Sequence, residues 1–239
     1  MTEHVMIVQR ADFFGGRWHN GFVPLDAEAG TELLSAFEAH ARFEPRDTAE
    51  QQPAWKQLIP YCVVTRGRDV FYAQRLEGQG DPRLWRRISI GFGGHVGDED
   101  APPQGAVQRA LHRELREELS MTGASGGRPM PRLVGLLNDE RDDVGRVHAG
   151  LVYRLHVAAD CRVEVREVHK LRGGFAPLAA LRGHASGEAP RVAPREGLWE
   201  DRASIESWSA IVLRSGLWRT PEADREGSVS EDPRREDQE

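Results

Sequence analysis

The stretch Gly93 to Thr122, GGHVGDEDAPPQGAVQRALHRELREELSMT, constrains this chain more than any other. Its second half has the spacing of an amphipathic helix, starting near Pro102, a residue tolerated in a first helical turn. At about 100° per residue with Val107 at zero, Leu111, Leu115 and Leu119 fall at about 40°, 80° and 120°. Arg109, Arg116 and His112 fall opposite, at about 200°, 180° and 140°. Glu114, Glu118 and Glu117 fall at about 340°, 20° and 280°, so the acids turn toward the apolar arc and the bases away from it. Burying an unpaired carboxylate is costly, and clustering several adds like-charge repulsion. Two readings remain open. The acids surround a hard divalent cation, which favours carboxylate oxygen, or they sit at the edge of the core and pair with arginines.

The other bulk features narrow the setting. With 239 residues the chain suits one good-sized domain or a domain with an appendage. A net charge of −6 gives no electrostatic footprint for duplex nucleic acid or an anionic membrane. Cys62 and Cys161 have no metal-binding spacing and read as reduced thiols. No leader or membrane-length apolar run is visible, so the expectation is a soluble, cytoplasmic protein.

Along the chain, EHVMIVQ reads as a strand and GTELLSAFEAHARF as a helix that Thr31 caps. QLIPYCVVT and DVFYAQR read as strands joined by a turn, and RRISIGFGGH as a third strand running into glycines. PRLVGLLN, RVHAGLVYRLHV and CRVEVREV read as further strands, followed by a loop rich in Gly, Pro and Ala. SIESWSAIVLRSGLW reads as an amphipathic helix, with Ile205, Trp208, Ile211, Val212 and Leu217 near one face. The expected organisation is an N-terminal β-α extension (1–53), a main domain (54–218) and a disordered acidic tail (219–239).

Gly94, Arg113-Glu114-Leu115, Glu117-Glu118 and Met121 together resemble the Nudix box, G-x5-E-x7-R-E-U-x-E-E-x-G-U, where U is apolar. The interval from Gly94 to Arg113 is five residues longer than in that pattern, and Ser120 stands at its late glycine. Glu99 or Asp100 would serve as its first glutamate. WKQLIPYCVV, SIGFGGHV and RVHAGLVY resemble the flanks of a sparsely characterised bacterial Nudix branch with a lengthened box; the resemblance runs from Ala54 to Leu213.

The resemblance implies an α/β fold, a Nudix-type α/β/α sandwich with a mixed sheet plus the small N-terminal β-α extension. It implies a hydrolase that cleaves the diphosphate of a nucleoside diphosphate linked to another group, with Mg2+ or Mn2+ as cofactor. Glu114, Glu117, Glu118 and the Gly94 carbonyl would hold the metal, and Arg113 would orient the carboxylates. The general base would be a box glutamate such as Glu117 or an acid of NDERDDVG (Asp139, Glu140, Asp142, Asp143), with Glu140 favoured. Arg75 and Arg87 suit a phosphate clamp. Trp85 or Tyr153 suits base stacking, with burial in the core as the competing use. His95 and His148 are candidates to line the cleft. The partner would be a small nucleoside diphosphate derivative, neither a nucleic acid duplex nor a membrane, and the oligomeric state is open, with a homodimer among the options. Two other functions compete: a catalytically weak Nudix-fold module that binds or senses a nucleotide, and an isomerase of a small diphosphate.

Overall fold

A computed structural model of the protein describes residues 2–78, 85–123, 130–141, 143–186 and 203–219. The elements in chain order are β1 (His4–Gln9), β2 (Gly21–Pro24), α1 (Ala27–His40), β3 (Arg42–Pro45), α2 (Arg46–Ala49), β4 (Trp55–Arg66) and β5 (Asp69–Arg75). Then come β6 (Arg87–Ser89), β7 (Gly91–Phe92), α3 (Ala106–Glu118), β8 (Leu119–Thr122), β9 (Arg132–Asn138), α4 (Asp143–Val147) and β10 (His148–His156). The chain continues through β11 (Arg162–Val165), β12 (Leu171–Pro177), α5 (Leu178–Ser186), β13 (Ser204–Ile205) and α6 (Ser207–Arg214).

The longest apolar run makes the central strand. β4 is buried from Lys56 to Thr65, as a strand covered on both faces should be. It pairs in parallel with β10 along its length, from His148↔Gln57 to His156↔Thr65. The sheet runs β13-β6-β5-β4-β10-β9-β2 among the described residues, with β1, β3, β7 and β12 attached beside that path. The two faces of β4 take alternate side chains. Leu58, Cys62 and Val64 join the core under α1 and α3, through Phe37, Val107, Leu111 and Leu115. Tyr61 and Val63 join the opposite core under α5 and α6, through Leu181, Val212 and Leu213. This is the expected α/β/α sandwich with a mixed sheet. No helix of the described residues is long and apolar enough to cross a membrane.

Several local expectations are corrected. The cap of α1 is Asp26, whose Oδ1 accepts the Ala29 N–H at 2.9 Å, whereas Thr31 lies inside the helix and bonds back to the Ala27 carbonyl. Asp26 precedes an Ala-Glu-Ala turn that can extend the helix toward the N-terminus. α3 starts at Ala106 rather than near Pro102, because Gly105 at φ 76 breaks the path into the helix. The Gly-rich stretch expected as loop after CRVEVREV contains β12, which pairs with β5 from Leu171↔Arg75 to Pro177↔Asp69. Cross-strand partners there outweigh the low strand preference of glycine. RRISIGFGGH is split into β6 and β7, because β6 pairs with β5 while β7 pairs with β4. Asp142 and residues 220–239 of the expected tail lie outside the described residues.

A gap in the edge of β4 locates the site. That edge pairs with β1 at Trp55 to Gln57 and with β7 at Cys62 and Val63. Pro60 lies between, where a missing N–H donor is tolerated. The glycine loop after β7 enters at this gap.

Candidate active site

Gly93 and Gly94 bring backbone against the end of α3. Gly93 has φ 144, and a Cβ there would overlap the Pro60 carbonyl oxygen, so only glycine fits. Its N–H donates to Glu118 Oε2 at 2.9 Å. At Gly94 a Cβ would lie 2.6 Å from Glu114 Oε1. One glycine therefore seats each of the two inward-turned glutamates of α3.

The inward acids are electrostatically loaded. Burial pushes Glu118 up to about 7, and the charge of Glu114 adds to the shift while the Gly93 N–H and Arg75 oppose it. Burial also raises Glu114, against its hydrogen bond with Arg113. Arg113 Nη1 donates to Glu114 Oε1 at 2.7 Å, Nη2 donates to Asp100 Oδ2 at 2.8 Å and to the His95 carbonyl at 3.0 Å. Asp100 is buried and also accepts the Gly97 N–H at 3.1 Å, so it braces both the loop and the arginine. Glu99 is more exposed and lies 3.5 Å from Arg113. Of the two acids that suit the first box position by sequence, Asp100 has the closer and more numerous contacts.

The remaining candidates are spread out. Glu117 faces solvent and meets Arg113 at 3.7 Å. Arg75, exposed at the end of β5, acts electrostatically on Glu118. Trp85 is half-buried in the turn before β6, and Arg87 is exposed at the first position of that strand. Tyr153 lies in the core with its hydroxyl buried and unpartnered, so it offers no face to a base. Glu140 belongs to a different cluster. Its carboxylate pairs with Arg10 and lies 3.4 Å from the Lys56 ammonium. Burial works to raise Glu140, but hydrogen bonds from Asn138 and Arg10 and the nearby positive charges hold it below the usual range. A carboxylate so held is a weak base. No group of three or more His, Cys, Asp or Glu side chains closes into a metal-holding cluster among the described residues.

Sequence reasoning missed how the histidines meet. His95 Nε2 lies 3.1 Å from His148 Nε2, while His148 Nδ1 lies 2.6 Å from the Val144 carbonyl. The carbonyl requires a proton on His148 Nδ1, so in a neutral pair His95 Nε2 is the donor between the rings. Burial, with Arg46 and His148 nearby, pushes His95 down to about 3. His95 lines a cavity of about 210 Å³ with Glu3, Arg46, Gly94, Gly97, Glu99, Arg113 and Glu114.

The glycine geometry gives a direct test. Gly94→Ala needs only the end of a side chain to move, so the protein should fold normally while the Glu114 carboxylate is displaced. For a carboxylate that takes part in catalysis, a displacement of about 1 Å typically costs on the order of 100-fold in turnover. Gly93→Ala strikes backbone and should lower the melting temperature instead. A Gly94→Ala protein with wild-type turnover would remove Glu114 and Gly94 from the working site.

No family model matches the chain. Protein YmaB of Bacillus subtilis (strain 168) is 32% identical over 186 residues, spanning 76% of this chain and 89% of YmaB. The crystal structure of Tm1382, described provisionally as a Nudix hydrolase, superposes with a TM-score of 0.66 at 26% identity. That match covers 88% of this chain and 96% of Tm1382. The chain belongs to the family of protein YmaB and has a Nudix-like fold.

Proposed function

We propose that the protein is a metal-dependent pyrophosphohydrolase that cleaves the diphosphate of a nucleoside diphosphate linked to another group. The observation that carries this reading is the seating of Glu114 and Glu118 against Gly94 and Gly93. It places half-buried, like-charged oxygen donors beside half-buried glycine backbone, which suits a hard divalent cation. Glu114, Glu118 and the Gly94 carbonyl would hold Mg2+ or Mn2+, with Glu117 closing the set from the solvent side. The cation would neutralise the crowded charge of a diphosphate and make a water molecule easier to deprotonate.

The chain's own residues do the rest. Arg113 fixes the Glu114 carboxylate and the loop carbonyl of His95 in one fork of donors. Arg75, beside Glu118, binds a phosphate oxygen. Glu117 takes the proton of the attacking water; it is exposed, and its contact with Arg113 is longer than those of Glu114 and Asp100. Glu140 is left out of the reaction, since its charge already serves Arg10 and Lys56.

A catalytically weak binding or sensing module is favoured by one observation, the failure of the three box acids to close into a cluster among the described residues. Purified protein screened against nucleotides, nucleotide sugars, dinucleoside polyphosphates and coenzymes decides between them. Products split at the diphosphate are expected with Mg2+ or Mn2+, and none in excess chelator. Turnover that persists in chelator would overturn the metal-dependent reading; tight binding without turnover would leave the sensing module.

A further inference from the structure

The helix that carries the box glutamates begins without a cap of its own. Gly105 is its N-cap residue, in the left-handed region at φ 76, with no side chain to accept a hydrogen bond, and the first turn holds no acid. The first N–H groups of a helix need acceptors from elsewhere, and the positive end of its dipole favours an anion. Here the anion comes from α1. Glu38 Oε2 accepts the Gly105 N–H at 2.8 Å. Its other oxygen, Oε1, is buried without a partner. Burial of a half-satisfied carboxylate is unfavourable, and the adjoining helix terminus is the compensating feature.

The same N-terminal segment holds the lengthened loop between Gly94 and Arg113. The Met6 N–H donates to the Val96 carbonyl at 2.8 Å, and Val5 forms an antiparallel bridge with Gly97. His4 lies 3.4 Å from Asp98. Glu3 and Arg46 complete the wall of the cavity that Gly94, Arg113 and Glu114 line. The extra length of the loop is thus braced by residues that precede the resemblance in sequence.

We propose that the segment 1–53 is a positioning element of the active site and that Glu38 is its positioning residue, setting α3 along its axis against Gly93 and Gly94. The proposal rests on the reading of Glu114, Glu117 and Glu118 as the working acids. A helix transmits displacement along its length because each turn is hydrogen-bonded to the next. Fixing Gly105 at one end therefore fixes the height of the acids at the other.

The test compares wild type with Glu38→Ala, which removes the acceptor, and Glu38→Gln, which keeps an acceptor oxygen. Amide hydrogen exchange is measured over 94–118, together with Mn2+ affinity, kcat and KM, at a temperature well below every melting transition. Glu38→Ala should raise exchange at 94–100 and in the first turn of α3, weaken Mn2+ binding and lower kcat by about tenfold or more. KM should stay nearly constant, and Glu38→Gln should recover most of the loss. A purely structural cap predicts a lower melting temperature with wild-type kcat and Mn2+ affinity in the folded variant, and that result overturns the proposal. Unchanged exchange overturns it as well. If the wild type hydrolyses nothing, the hydrolase reading fails separately; weakened Mn2+ binding and raised exchange in Glu38→Ala would then still uphold the positioning role, and their absence would end it.

Discussion

A Glu118→Gln variant is expected to lose turnover by about 100-fold to 1000-fold, while its metal-free form becomes more stable than wild type at neutral pH. On the proposed metal-dependent reading, the activity loss follows from removing one charged oxygen ligand of a cation that would be worth several kcal/mol to the reaction. The stability gain follows from burial. Glu118 titrates near 7 in the folded chain and near its ordinary value of 4.5 when unfolded. Between those values the folded state binds a proton that the unfolded state has released, so this group's contribution falls as pH rises from 4.5 to 7. Above 7 the loss is complete, up to about 3 kcal/mol. Glutamine keeps an acceptor for the Gly93 N–H and has no charge to bury. The stability of Glu118→Gln relative to wild type should therefore be small near pH 4.5 and positive above pH 7, measured by melting in chelator. Equal differences at both pH values, or a destabilised variant with full turnover, would refute the inward, metal-holding assignment.

The period of α3 turns Glu114, Glu117 and Glu118 toward the apolar arc; the structure puts Glu114 and Glu118 there, while Glu117 at the edge of the arc faces solvent. Periodicity speaks for one helix at a time, however. It says nothing of Gly93 and Gly94, whose approach depends on a gap in β4 formed by two separate pairing partners. Asp100 and Glu99 are adjacent acids in a loop without period, and burial against Gly97 and Arg113 alone distinguishes them. Glu38 had no visible role, because its partner is a backbone N–H distant in the chain. Tyr153 reads first as a core residue and second as a stacking face, and only the placement of β10 in the sheet centre decides for the core. Glu140 stands in a run of acids in one loop, and no sequence feature announces its partners Arg10 and Lys56. Local chemistry is legible where it repeats along an element, while long-range pairing of single polar groups is not.

Lys56 shows the same boundary, and its removal should produce the largest stability change. It sits in β4 with no exposed surface. Its Nζ lies 2.7 Å from Asn138 Oδ1, 2.8 Å from the Arg146 carbonyl, 3.2 Å from that of Gly145 and 3.3 Å from that of His148. One ammonium thus holds the end of β9, the short helix α4 and the start of β10 together. The Trp18 ring 5.7 Å away and the Arg10–Glu140 pair link the N-terminal segment to the same point. Lys56→Met keeps the length of the side chain and strands these acceptors without a donor, which should cost about 3–5 kcal/mol. For a chain of this size that lowers the melting temperature on the order of 10 °C. Burial, only partly opposed by Glu140, pushes the amine down to about 8 from an ordinary 10.5. From pH 8 to 10.5 the unfolded state still binds the proton that the folded state has released, so wild type gains stability from this group as pH rises. Methionine has no such gain. The deficit of Lys56→Met should therefore widen across that window, with the neutral amine still donating to Asn138 and the carbonyls. A deficit that narrows instead would show that attraction to Glu140 outweighs burial and that the charge itself holds the cluster.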